Sequence, residues 1–396
     1  AFVDGAMERT CRRAPELPTA LGLDKGELAW TKYELSDSSL TALAENKADN
    51  ARDLATLRTI NRKQLTGMDA VNYDTVDFVL SVQDEGNRKF EYGGQGSGAP
   101  YVISQLTGSY QQMPDFLDTQ HVIEKKEDAD AYLARMEAFG RLMDQEADVV
   151  RHDVALGVTP PDFVLDKALT QLKAFLAYEP EKAPLVASVV RRTAEKKIDG
   201  DWSKAAQGLY VDKVRPAMQR QAELLEGLRA KAVHDAGVWR LPNGEEYYRV
   251  SLRNYTTSNI TPDEVHKTGL DLVRSLGAEA DALMKKAGYS KGAVGERYRQ
   301  MAEDPKQVYP NTDKGKEELL AKLNEQVKVI QAKLPQWFGQ LPKAPLEIRR
   351  VPPAIEAGAP GGYYNSPTLD GSRPGIYWIN LRDTAEVPAW TLPTLT

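Results

Sequence analysis

The stretch that begins at Leu346 most narrows the folds open to this chain. It breaks a helical pattern that otherwise runs nearly from end to end. Leu346–Val351 alternates apolar and polar side chains as a strand does. Gly361, Gly362, Gly371 and Gly375, with Pro360, Pro367 and Pro374, mark a long structured loop. Gly375–Leu381 reads GIYWINL, rich in aromatic and β-branched residues, and predicts a second strand. Pro388–Thr396 then begins an apolar segment: Val387, Trp390, Leu392 and Leu395 are apolar, and Pro388 suits a first helical turn. A domain rarely stops in the first turns of an apolar helix. The expectation is a front part of a longer protein, with further polypeptide, in the same or a cleaved second chain, covering this segment.

Before Leu346 the periodicity is helical. In Glu127–Leu156, Leu133, Met136, Met143, Ala147, Val150 and Val154 fall at three- and four-residue steps with charges between them. Gly157 with Pro160 and Pro161 ends that helix. Asp162–Ala177, Pro184–Lys197 and Trp202–Ala236 follow, with Arg215-Pro216 starting or kinking a helix inside the last. Thr261-Pro262-Asp263-Glu264 is a helix start: a threonine cap, a proline at the first position and a glutamate closing a capping box. That helix runs toward Lys286, and another covers Asp313–Leu334. Ser36–Gln64 and Asp74–Glu85 make the N-terminal third helical too. Pro242-Asn243-Gly244 marks a turn and the expected boundary. Residues 1–240 are a helical region, and 241–396 are helices plus strands near 246–253, 346–351 and 375–381.

Several functions are excluded or unsupported. The net charge of −6 over 396 residues is the wrong sign for a general nucleic-acid surface. No apolar run approaches the roughly 20 residues of a membrane span. Cys11 is the single cysteine, so no internal disulfide and no cysteine-based zinc site can form. Glu91–Pro100 is glycine-rich but lacks the lysine and the following Ser or Thr of a phosphate loop. His121, His152, His234 and His266 make no HExxH and no i, i+4 pair; HVIEK at His121–Lys125 lacks the second histidine of an inverted motif. The acidic clusters around Asp128 and Glu146 read as solvated helix faces. This chain therefore offers no local zinc site and no catalytic residue of its own.

The motifs point to a family. PGGYYNSPTLDGSRPGIYWINL, followed by PAWTLPTL, resembles the bacterial zincin-like family catalogued as domain of unknown function 885. TPPDFVLDKAL at Thr159–Leu169 and GEEYYRVSLRNYTTSNITPDEVHKTGLDLV at Gly244–Val273 extend the resemblance over most of the chain. It implies a mostly α zincin-like scaffold, with helical walls around a deep cleft and a small sheet near the C-terminal end. It also implies that the zinc-binding HE…PGHH helix follows Thr396, so that zinc is a cofactor of the complete protein and is not held by this chain alone. Many members carry export signals, which implies a periplasmic or secreted protein, the cytoplasm being the alternative.

By the same resemblance Gly375–Leu381 is the edge strand beside the metal helix, against which a peptide substrate adds as a further strand. Tyr363 and Tyr364 would donate to a reacting carbonyl or line the cleft, and Arg373 would receive a carboxylate. Tyr377 would line the site and Asn380 would anchor substrate backbone. The other reading of the block keeps Tyr377 and Trp378 as strand core, pairs Arg373 with Asp370, and leaves the glycines to shape a turn. The expected function is zinc-dependent hydrolysis of short peptides, of exopeptidase or dipeptidase type. The alternative is a non-catalytic helical peptide-binding protein.

Overall fold

The computed structural model describes residues 2–93, 100–353, 356 and 359–394. The glycine-rich residues 94–99, and Leu395 and Thr396, lie outside them. The chain divides into two compact units, Ala1–Ile260 and Thr261–Thr396.

The first unit is helical: α1 Phe2–Arg13, α2 Glu16–Leu21, α3 Leu40–Leu57, α4 Gly67–Lys89, α5 Ser109–Thr119, α6 Lys126–Ala155, α7 Asp162–Leu176, α8 Pro184–Glu195, α9 Trp202–Leu209, α10 Arg215–Arg229 and α11 Gly244–Thr256. Its axis is α6. Tyr132, Met136, Phe139, Met143 and Ala147 on this helix are all but fully buried, each large side chain contributing about 1.5–3 kcal/mol by leaving water. Gly140 lets α6 approach the turn at Lys213: a Cβ there would stand 2.8 Å from the Lys213 carbonyl oxygen. That segment, Tyr210–Val214, is a π-turn between α9 and α10. The chain stays helical from Trp202 to Arg229 with this π segment inside it, next to Arg215-Pro216 where the sequence suggested a start or kink; it stops short of the expected Ala236.

Residues 246–253 are a helix and not the strand the sequence suggested. Tyr247 and Val250, three apart, pack on Val82, Phe78, Phe90 and Tyr92, and that spacing needs a helical turn. Arg253 and Glu246 pair with Glu85 and Lys89 of α4. Asn243 in the left-handed region and Gly244 turn the chain into α11. A Cβ at Gly244 would collide with the Val238 carbonyl. This packing carries the first unit to residue 260, beyond the turn at Pro242-Asn243-Gly244.

The second unit holds α12 Pro262–Lys286, α13 Val294–Glu303, α14 Asp313–Gln331 and a sheet of β1 Leu346–Arg350, β2 Gly362–Asn365 and β3 Gly375–Ile379. The capping box of α12 is present: the Thr261 hydroxyl accepts from Glu264 N–H, and Glu264 accepts from Thr261 N–H at 2.9 Å. Leu319, Leu323 and Val327 of α14 cover one face of the sheet through Ile348, Ile379 and Leu381. Val387 and Leu392 are buried in that same cluster. Ala389–Thr394 is a 3₁₀ turn, tighter than the helix start expected there. No helix of the described residues is long and apolar enough to cross a membrane.

Candidate functional site

The sheet of the second unit is built around β3. Its order is β1-β3-β2, with β1 parallel and β2 antiparallel to β3. The expectation that Gly375–Leu381 forms an edge is therefore corrected. The apolar GIYWI run buries both faces of β3, and such a strand belongs in the middle of a sheet.

The two outer strands are treated differently. At β1, Asn324 of α14 closes the edge: its amide donates to the Ile348 carbonyl and accepts from Ile348 N–H, both at 3.0 Å. Among the described residues none does this for β2. The Asn380 N–H donates to the Gly361 carbonyl at 2.9 Å. Antiparallel pairing alternates from that point, so Tyr363 and Asn365 turn their main-chain groups to β3. Gly362 and Tyr364 turn theirs outward, and among the described residues nothing pairs with them.

The five residues expected to meet substrate do not converge on one point. Tyr364 and Tyr377 are directly opposite each other on one face. Each ring lies across a glycine on the neighbouring strand, Tyr377 over Gly362 and Tyr364 over Gly375, at distances that a Cβ would forbid. Tyr364 is 53% exposed. Tyr363 points to the opposite face and stacks on Trp378, with centroids 6.2 Å apart. There it joins Val351 and Ile376. Arg373 lies in the β2–β3 connection and donates to the Ser366 carbonyl at 3.3 Å. Its N–H bonds the Thr368 hydroxyl at 2.9 Å, which with Gly371 (φ 76°) closes the turn.

Asn380 is buried, and its side chain is engaged by this chain's own backbone. It donates to the carbonyls of Glu356 (2.8 Å) and Ala359 (3.1 Å) and accepts from Arg382 N–H. Arg350 grips Glu356 with two bonds, at 2.6 and 3.0 Å. These contacts fix where the chain enters β2. Asn324 and the open edge had no sequence signal, because both depend on strand order.

In the first unit, buried polar groups sit along α6. Arg135 is fully buried. It donates to the carbonyls of Glu34, Pro15 and Thr31, to the Thr19 hydroxyl, and to His121 Nδ1 at 3.0 Å. His121 Nε2 therefore carries the proton and donates to the Asp128 carbonyl at 2.8 Å. Burial, and then Arg135, push the His121 pKa down to about 3, so the ring is neutral. Glu146, expected on a solvated face, is buried. It accepts from Ser109 N–H at 2.9 Å and from the Ser109 hydroxyl at 2.7 Å, capping α5. Burial pushes its carboxyl up to about 7. A small pocket nearby is lined by Tyr101, Val158, Pro160, Leu225 and Asp153. Burial raises the Asp153 carboxyl as well.

Among the described residues no three His, Cys, Asp or Glu side chains stand close enough to hold a metal ion. Both His121 nitrogens are taken. His152 and His234 each contact one carboxylate, at 3.1 and 2.9 Å.

Residues 15–396 match the model of a family described as "Bacterial protein of unknown function (DUF885)". No curated protein matches the chain. A solved structure from Colwellia psychrerythraea, described as a "putative lipoprotein", shares the fold with a TM-score of 0.89 at 26% identity. The match covers 98% of this chain and 67% of the Colwellia chain.

Proposed function

The chain belongs to the DUF885 family of bacterial proteins, and from that premise we propose that it is the scaffold and substrate-docking part of a zincin-like metallopeptidase that hydrolyses short peptides. The observation that carries this reading is the outer edge of β2. Among the described residues nothing pairs with the outward main-chain groups of Gly362 and Tyr364, in a strand whose opposite side is fixed to β3. An extended peptide can add there as a fourth strand, gaining backbone hydrogen bonds. The exposed Tyr364 ring would lie beside its side chains. In this reading Tyr363, Tyr377 and Asn380 shape the strand from behind, and Arg373 holds the turn that presents it. Zinc and the groups that bind it belong, in this reading, to polypeptide beyond Thr396. A bacterial family and a neighbour described as a lipoprotein support a periplasmic or secreted location.

The test is a cleavage assay on the product of the full reading frame, with mixed short peptides, before and after chelation and zinc addition. Cleavage that zinc restores is expected. Tyr364→Pro removes an outward N–H that no ladder bond uses, and proline is tolerated on sheet edges. It should lower kcat/KM at least about tenfold further than Tyr364→Ala, which removes the ring and keeps the N–H. Equal losses would end the strand-addition reading. Peptide binding without cleavage would end the peptidase reading in favour of a binding protein.

A further inference from the structure

The helix α12 carries an apolar face that no described residue of its own unit covers. Leu272, Val273, Leu276 and Leu283 recur at steps that place them within one side of a helix. They are 51%, 70%, 58% and 59% exposed. Val265 and Ala280, on the same side, are partly exposed. The adjoining side is occupied: Met284 is buried, and Asp281 pairs with Arg297 of α13. Arg274 and Lys285, on the far side, are solvated. The helix is thus packed on one flank, wet at the back and bare along its apolar stripe. Apolar patches beyond a few hundred Å² mark interaction surfaces on soluble proteins.

The Colwellia chain offers a candidate occupant. This chain superposes over nearly its whole length, yet it spans 67% of that chain, so a third of the Colwellia polypeptide has no counterpart here. We propose that the Leu272–Leu283 stripe of α12 is the seat of that remaining polypeptide, an apolar helical face packed along α12. The choice of occupant rests on the coverage. A second copy of this chain would leave the extra third of the Colwellia fold unexplained, whereas an added segment accounts for both facts. This inference does not depend on peptide hydrolysis.

Cysteine accessibility tests it, because Cys11 is 2% exposed and makes a quiet background. Leu276→Cys is placed in the 396-residue chain and in the product of the full reading frame, and the rate of maleimide labelling is compared. Leu283→Cys serves as a second reporter should the first variant misfold. Arg274→Cys, on the solvated side of the same helix, is the control. The expected result is labelling of Leu276→Cys at least about tenfold slower in the longer protein, with Arg274→Cys unchanged. Three results would overturn the proposal: equal labelling of Leu276→Cys in both proteins, protection in the 396-residue chain that grows with its concentration (the signature of a second copy), or a reading frame that ends at Thr396. Peptidase activity is not read, so failure of the cleavage assay leaves this result standing.

Discussion

Two helices of this molecule share a design and differ in outcome. Both α6 and α12 are long, both begin with a carboxylate bonding the N-terminal backbone, and both gather apolar residues on one side. Half of the 30 residues of α6 are buried. α12, with 25 residues, buries Met284 and leaves its leucines in water. Periodicity thus reports which face seeks cover and is silent on whether cover is present. The difference lies in the neighbours. α6 is flanked by α5, α8, α9 and α10 of its own unit, while α12 meets α13 along one flank.

The largest expected effect comes from the buried centre of α6. Arg135→Ala strands the carbonyls of Pro15, Thr31 and Glu34 without a donor and opens a cavity. Both mechanisms are destabilising, together by about 3–5 kcal/mol. Urea unfolding followed by circular dichroism should show the midpoint falling accordingly. A loss below about 1 kcal/mol would mean that water replaces the guanidinium, and that α6 is less enclosed than its burial indicates.

A smaller effect concerns charge within the same helix. The Glu146 carboxyl is raised by burial to about 7, from an ordinary value of 4.5. Between those values the folded chain holds a proton that the unfolded chain has released. Stability therefore falls as pH rises from about 4.5 to 7 and is flat above, a term on the order of a few kcal/mol. Glu146→Gln keeps an acceptor for Ser109 and removes the titration. Its unfolding free energy should decline by about 1–3 kcal/mol less than the parent's over that window. Burial raises the Asp153 carboxyl in the same direction, so its contribution has the same sign. Coincident slopes would show Glu146 ionised in the native state.

The helices were legible because each carries its own code: the spacing along α6, the Thr261 box of α12, the Gly157–Pro161 stop. Val387 and Leu392 were legible as apolar side chains needing burial, and they are buried. What could not be read locally was pairing. Residues 246–253 alternate well enough for a strand, and only the patch of Phe78, Val82 and Phe90 on distant α4 selects the helix. The GIYWINL strand was recognisable, but its central place depends on β1 and β2 arriving from either side. Asn380 looked like a free polar group because the loop it ties, at Glu356 and Ala359, is 21 to 24 residues earlier in sequence. The glycine-rich block did announce a crowded backbone, and Gly362 and Gly375 are where the phenol ends of Tyr377 and Tyr364 press on the neighbouring strand.

The smallest expected effect is the sharpest test of the comparison. Leu276 is 58% exposed, so replacing it by serine removes little packing and adds a polar group where water already stands. Leu276→Ser in the 396-residue chain should change stability by no more than about 0.5 kcal/mol, the range of ordinary surface substitutions. A buried position of α6 such as Met143 would lose several times as much under the same change. The serine variant should also lower any tendency of the chain to self-associate, since it interrupts the apolar stripe at its middle. Urea midpoints and sedimentation velocity on the two variants decide the matter. If Leu276→Ser costs more than about 2 kcal/mol, the leucine is packed in the 396-residue chain in solution. The contrast between the covered and the bare helix then disappears.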